Sequence, residues 1–242
     1  MGAKNHKKKR AAIRKEPVKK KSNKGLIIGC VTGALIIALT VVLLFVFGVF
    51  GKKEESKESK MPQGYDNPTV TMEIENYGTI EWELYPDIAP NTVCNIISLI
   101  NKGFYDDNTI HRVQSGFVLQ GGDPTGTGSG GPGYSIKGEF TSNNFKNDLS
   151  HTRGVLSMAR RSDSYDSAGS QFFVCLSNAC ANSLDGDYAS FGKVTKGMDI
   201  IDKIEADVGT SSNMGMLSTS LRIVKTTVDT KGATYPEPEV IK

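Results

Sequence analysis

The sequence predicts a mainly β fold: a closed or nearly closed antiparallel barrel with helices at its ends, preceded by one apolar helix near the N-terminus. Three observations carry this. Short apolar segments of strand length recur between residues 69 and 229, separated by Gly, Asn, Asp and Ser. Two other segments have helical periodicity. Residues 26–50 form an uncharged run far longer than either.

The chain has 242 residues and a net charge of +3, and that mean hides a split. Residues 1–25 hold eleven Lys/Arg and the single acid Glu16, whereas the remainder carries 18 basic and 25 acidic residues, a net of −7. A mildly acidic main domain is a poor nucleic-acid binder, so no nucleic-acid partner is expected. Leu26–Phe50 contains no charged residue. As a helix it spans roughly 37 Å, more than the ~30 Å hydrocarbon core of a bilayer. A cleaved signal peptide would have a shorter apolar region, about 7–15 residues, and a small-residue cleavage site after it. The exit Gly48-Val49-Phe50-Gly51 is a poor one. The expectation is an uncleaved single-pass anchor in membrane lipid, with the basic tail cytoplasmic and the rest of the chain outside. Residues 51–68 are rich in Lys, Glu and Ser and read as a flexible linker.

The folded domain is expected from residue 69 to 229. Val70, Met72 and Ile74 alternate with polar neighbours, the period of a half-buried strand. Asn76-Tyr77-Gly78 is a turn, and Thr79 to Leu84 a second strand. Pro90 and Asn91 open a helix with Val93, Ile96, Ile97 and Ile100 on one face, and Gly103 ends it. Strands follow at His111–Val113, Phe117–Gln120, Gly154–Met158, Gln171–Cys175 and Phe191–Val194. Met198 to Ile204 is a second helix and Leu221 to Val228 a last strand. Residues 230–242 are a tail. Periodicity does not separate a barrel from a sandwich, but closure removes exposed edges.

Most familiar chemistries find no support. Gly126-Thr127-Gly128-Ser129-Gly130-Gly131 matches G-x-G-x-x-G, but Pro132-Gly133-Tyr134-Ser135 follows instead of the helix a dinucleotide site requires. The loop reads as tight turns beside a groove. The histidines are His6, His111 and His151. His111 faces away from Arg112 in a strand and reads as buried, while His151 lies in a polar loop and reads as solvated. No Ser sits in a nucleophile elbow. The four cysteines have no metal-ligand spacing. Cys94 and Cys175 read as small buried hydrophobes, and pairing of Cys175 with Cys180 is open. No metal and no cofactor are expected, so any enzyme reading has to work without acid/base, metal or covalent chemistry.

The run Ile110-His111-Arg112-Val113-Gln114-Ser115-Gly116-Phe117-Val118-Leu119-Gln120-Gly121-Gly122-Asp123 is similar to the signature of the cyclophilins, peptidyl-prolyl cis/trans isomerases, and the likeness is to bacterial forms. So are Ser157-Met158-Ala159, Gly169-Ser170-Gln171-Phe172-Phe173, Leu184-Asp185-Gly186 and Phe191-Gly192-Lys193-Val194. The resemblance covers residues 69–229 in order and spacing. It implies a closed eight-stranded antiparallel β-barrel capped by two α-helices, with the active groove on the outer face. By position, Arg112 is the implied catalytic arginine, acting with Phe117 and Gln120. Phe117, Val118, Phe173 and Leu184 line the implied proline pocket, and Gln120 and Gln171 hold the peptide and orient Arg112. Ala159 and Arg160 contact the substrate backbone. Gly128 edges the pocket for residues before the proline, and Tyr188 stands as a wall where histidine is common. The implied partners are proline-containing polypeptides, met by a monomeric domain. Ser183 replaces the tryptophan many cyclophilins carry before Leu184, so tight cyclosporin binding does not carry over. Arg160-Arg161 replaces the common Asn-Ala, and Arg161 would favour acidic residues before proline.

The residues agree with that chemistry. Val118 and Gln120 share strand parity and present an apolar wall and a polar hook on one face. The expected function is isomerisation of Xaa-Pro bonds outside the cytoplasmic membrane. The alternative is a proline-peptide-binding chaperone or adaptor whose turnover is dispensable.

Overall fold

The computed structural model describes residues 61–242. The expected basic tail, the membrane span at 26–50 and linker residues 51–60 lie outside the described residues. Among the described residues no helix is long and apolar enough to cross a membrane.

Eight strands form where the short apolar segments recur. They are β1 (Thr69–Ile74), β2 (Gly78–Leu84), β3 (Thr109–Gln114), β4 (Val118–Asp123), β5 (Val155–Met158), β6 (Phe172–Cys175), β7 (Ser190–Lys196) and β8 (Met216–Asp229). They close in the order β1-β2-β7-β5-β6-β4-β3-β8, every neighbour antiparallel. Alternate residues point inward. Val70 faces Trp82 and Met72 faces Ile80 across the β1–β2 pair, and all four are buried in one core with Ile110, Leu119, Val174 and Ile223. Trp82 and Phe172 meet inside at 5.9 Å between ring centroids.

Helices α1 (Pro90–Asn101) and α3 (Met198–Val208) contribute Val93, Ile96, Ile97 and Ile100, and Ile201 and Ile204, to the same core. Between them lies α2 (Ala181–Leu184), a single turn too short to show periodicity in the sequence. The start of α1 has no side-chain cap of its own. Glu139, 48 and 47 residues away, accepts from the backbone N–H of Asn91 (3.0 Å) and of Thr92 (2.8 Å) instead. It thereby satisfies two of the donors that every helix N-terminus leaves free.

Strand β8 begins at Met216, five residues before the sequence pattern, because Ser218, Thr219 and Ser220 carry no apolar alternation. The C-terminal tail is docked. Ser135 and Ile241 exchange backbone hydrogen bonds, the Asn91 side-chain amide donates to Glu239 O and accepts from Glu239 N–H, and Glu237 accepts from Ser98 and Lys102.

One irregularity aims the site. The pairings of β3 with β4 and with β8 both shift register between Ile110 and Arg112. Strict alternation would put Ile110 and Arg112 on one face. The bulge lets Ile110, His111 and Val113 bury while Arg112 reaches the outer face. Bulges re-aim side chains in this way beside active sites.

Candidate active site

Outside the barrel a second apolar cluster forms where β4 and β6 meet the loop leading to α2. Val118, Phe173, Cys175, Cys180 and Leu184 are buried in it, and Phe117, Ala159 and Tyr188 pack against it half-exposed. Leu119 points into the barrel core while Val118 and Gln120 take the outer face. Val118 is 1% exposed, so it floors the cluster, and the rings of Phe117 and Tyr188 form its accessible sides.

Arg112 lies beside this cluster, its guanidinium 5.9 Å from the Phe117 ring centroid. Three acceptors fix it. Nε donates to Met214 O at 2.7 Å and Nη1 to Gln120 Oε1 at 2.9 Å, and Nη2 donates to Gln114 Oε1. A guanidinium has five N–H groups, so two stay free for a ligand. Burial pulls the Arg112 pKa below its ordinary value, opposed by Tyr188. An arginine remains charged at neutral pH regardless.

The hydrogen bonds continue across the sheet. Gln120 Nε2 donates to Gln171 Oε1 at 2.9 Å. Gln171 Nε2 donates to Gly128 O at 3.0 Å and Gly130 O at 2.9 Å. These two carbonyls fix which way the Gln171 amide faces, and that in turn fixes Gln120. Gln120 is left with its oxygen toward Arg112.

The glycine loop is built around a carboxylate of its own. Asp123 accepts from Thr125 N–H and O–H, Thr127 N–H and Gly128 N–H at 2.6–3.1 Å. Burial works to raise the Asp123 pKa, but hydrogen bonds from Thr125, Gly130 and Gly128 outweigh it and hold the group at about 2. The N–H groups that a phosphate would need are therefore occupied. Gly130 has no alternative, since a Cβ there would lie 2.0 Å from Asp123 Oδ1. Gly128 faces open space, with nothing within 4 Å of an added Cβ.

Arg160 turns its side chain to the cluster wall. Its guanidinium lies 4.7 Å from the Tyr188 ring centroid, 4.9 Å from Tyr165 and 5.5 Å from Phe140, and Nε donates to Asp187 O at 2.9 Å. Tyr188 in turn meets Phe173 edge-on at 5.8 Å. Arg161 is exposed and pairs with Asp163, so its charge is already balanced locally. Ser183 is exposed and donates to Cys180 O at 3.3 Å.

His151 corrects the sequence reading. It is 1% exposed, stacked on Phe173 at 6.1 Å. Its Nδ1 is 2.8 Å from Asp185 Oδ1 and its Nε2 is 2.9 Å from Ser157 Oγ. An ionised Asp185 requires the proton on Nδ1, so Nε2 accepts the Ser157 hydroxyl. Burial lowers the His151 pKa, partly offset by Asp185. The constellation has the members of a hydrolase triad, but Ser157 is fully buried and no substrate carbonyl reaches it. It braces Phe173 from behind. His111 is buried as expected, both ring nitrogens lacking a protein partner, and its pKa is lowered by burial and by Arg112 against Asp123.

Among the described residues no group of His, Cys, Asp and Glu could hold a metal ion, and Cys94, Cys175 and Cys180 are free thiols. A cleft of about 390 Å³ between Glu75, Tyr77, Lys203 and Arg222 lies on another face. Its cations are already paired, Lys203 with Asp207 and Arg222 with Glu75 and Asp107.

The eleven residues expected at the site thus gather on one outer face; Gln114 and Met214 join them there, while His151, Ser157 and Asp185 support Phe173 from beneath. Comparison with known proteins decides the family. Residues 69–228 match the model of the cyclophilin type peptidyl-prolyl cis-trans isomerase/CLD family. The chain belongs to the cyclophilin family. It is 48% identical over 126 residues to peptidyl-prolyl cis-trans isomerase B of Bacillus subtilis, covering 52% of this chain and 82% of the relative. It is 45% identical over 132 residues to a Helicobacter pylori peptidyl-prolyl cis-trans isomerase, covering 54% and 76%. A crystal structure of a Cryptosporidium parvum cyclophilin type isomerase, in the presence of the dipeptide Ala-Pro, superposes with a TM-score of 0.58 at 30% identity. That match covers 66% of this chain and 98% of the other. This cyclophilin is accordingly a peptidyl-prolyl cis-trans isomerase.

Proposed function

We propose that this cyclophilin speeds cis/trans exchange of Xaa-Pro bonds in proteins folding outside the cytoplasmic membrane, by Arg112-assisted rotation of the amide. The observation that carries the mechanism is the guanidinium held by Met214, Gln120 and Gln114 with N–H groups to spare, next to an apolar cluster walled by Phe117 and Tyr188.

The barrier to rotation is ~18–20 kcal/mol because the C–N bond has partial double-bond character. In the twisted state that resonance is lost and the prolyl nitrogen regains a lone pair. A site accelerates exchange only by favouring that state over the planar ones. Val118, Phe173 and Leu184, with Phe117 and Tyr188 at the sides, grip the ring. Gln171, Gly128, Ala159 and the Arg160 backbone hold the residues before it. Arg112 donates to the nitrogen as it pyramidalises. No bond is made to the protein and no proton is transferred, so the active form needs no cofactor.

The location rests on the sequence: eleven Lys/Arg before the uncharged run at 26–50 and a mixed Lys/Glu stretch after it. Residues 26–50 would hold a monomeric domain at the lipid surface, where proline-containing chains emerge. Uncatalysed exchange takes about 10–100 s, slow enough to limit their folding.

The test of activity is exchange of a proline peptide with the full chain in mild detergent. Acceleration that drops sharply in Arg112→Ala is the expected result; equal rates for the two proteins would remove the mechanism. Location is tested separately by protease access in intact cells, where cleavage within residues 69–229 is expected from outside.

A further inference from the structure

The Ser212–Gly215 turn stands at the Arg112 end of the site, and the rotation mechanism uses only one of its carbonyls. Asn213 and Met214 are successive residues with positive φ, 47° and 53°. Residues with side chains adopt that conformation reluctantly, and two in a row persist only where surrounding contacts impose them. Those contacts are present. Ser115 N–H donates to Thr210 O, and Thr210 N–H to Val113 O. After the turn, Gly215 lies so close to β3 that an added Cβ would come within 2.7 Å of the Gln114 backbone. The segment is therefore pinned to β3 on both sides of Asn213-Met214. The pinning delivers Met214 O to Arg112 Nε and leaves the Met214 side chain 75% exposed. It is the most exposed of the large hydrophobic residues among the described residues.

Its position relative to the substrate follows from the hydrogen-bond line. That line runs Met214, Arg112, Gln120, Gln171, Gly128. Gly128 is the end assigned above to residues before the proline, and it opens onto free space. With the prolyl nitrogen at Arg112, the chain after the proline leaves toward the opposite end, where Met214 is exposed. A thioether is unbranched, polarisable and adaptable, and it favours apolar and aromatic neighbours.

We infer that Met214 is a specificity-determining residue of the isomerase site, touching the side chain that follows the substrate proline and selecting apolar or aromatic residues there. This rests on the isomerase reading and adds a subsite to it. Partial burial of the two side chains against each other is worth about five- to tenfold in kcat/KM.

The experiment measures kcat/KM of the full chain in mild detergent on peptides Ala-Ala-Pro-Yaa, with Yaa as Phe, Leu, Gln, Lys or Glu. The unmodified protein is expected to favour Phe and Leu over Gln by about five- to tenfold. Met214→Ala should bring that ratio to within about twofold, Met214→Leu should restore it, and Met214→Glu should turn the preference toward Lys. Because Arg112 is held by the Met214 carbonyl and not its side chain, these variants keep the guanidinium in place, and the ratio isolates the subsite. No preference in the unmodified protein, or the same ratio in all four proteins, overturns the inference while leaving isomerase activity standing. No acceleration of any peptide by the unmodified protein would overturn the isomerase reading, and the subsite with it.

Discussion

Replacing Gln171 by methionine keeps the length of the side chain and removes its polarity. Gln171 makes three hydrogen bonds, giving two to Gly128 O and Gly130 O and receiving one from Gln120. The two carbonyls lie at the edge of a half-exposed loop, where water replaces the lost donor, so their contribution to stability is small. The third loss matters more for function. Without the Gln171 oxygen, nothing fixes which end of the Gln120 amide faces Arg112, and the guanidinium loses one of its three anchors for part of the time. One neutral hydrogen bond is worth about 0.5–1.5 kcal/mol net, and a bond to a charged group about 1.5–3. The expected loss in Gln171→Met is therefore ~1–2 kcal/mol of transition-state stabilisation, about 5- to 30-fold in kcat/KM. Unfolding should shift by less than ~1 kcal/mol. The assay is peptide exchange paired with urea unfolding of the same samples. A double cycle with Arg112→Lys should be strongly non-additive, because both changes disturb one network. Activity within twofold of the parent, or additive effects in the cycle, would refute the relay from Gly128 to Arg112.

Other outcomes follow from the same contacts. The two histidines of residues 61–242 both have pKa values lowered by burial, so the unfolded chain binds protons first on acidification. Stability of that fragment should be fully present above about pH 6.5 and fall below it, by up to ~2.7 kcal/mol per pH unit for two protons, and His151→Gln should remove about half of that slope. Glu139→Ala should destabilise by about 1–2 kcal/mol, since it uncaps α1; an unchanged urea midpoint would mean that Glu139 does not act as the cap. Arg160→Met removes the guanidinium from three aromatic rings and frees Tyr188. It should raise KM a few-fold with kcat nearly constant, and the opposite split would place Arg160 in the rotation step itself.

Much of this was legible from residues 69–229 because strands and the binding motifs announce themselves locally. Val70, Met72 and Ile74 show a period of two, and the Ile110–Asp123 run carries Arg112, Phe117, Val118 and Gln120 in fixed register. The same parity rule put Val118 and Gln120 on one face, and the structure shows that face to be the outer one, with Leu119 inward. What stayed hidden acts through distance or through backbone. Met214 reaches Arg112 from 102 residues away with a carbonyl, which no side-chain pattern marks. The bulge between Ile110 and Arg112 breaks alternation with no glycine in β3 itself. His151 sits among Ser, Thr and Asp and looks solvated, yet its partners Asp185 and Ser157 pull it beneath Phe173. The α2 turn and the polar start of β8 lack the periodicity that would reveal them. The docked tail is held by hydrogen bonds to Asn91, Ser98, Lys102 and Ser135, all remote in sequence.

In the proposed mechanism a fixed Arg112 guanidinium lowers the barrier to Xaa-Pro rotation. Magnetisation exchange between cis and trans signals of an Ala-Ala-Pro-Phe peptide measures this directly, with the full chain at substoichiometric concentration. The parent should bring exchange from about 10–100 s into the sub-second range. Arg112→Lys keeps the charge but loses the planar fork held by Met214, Gln120 and Gln114, and it should lose ~10²-fold of that acceleration with peptide affinity little changed. Equal exchange rates for the parent and Arg112→Lys, with both proteins folded and peptide bound, would exclude a role for the fixed guanidinium in the rotation.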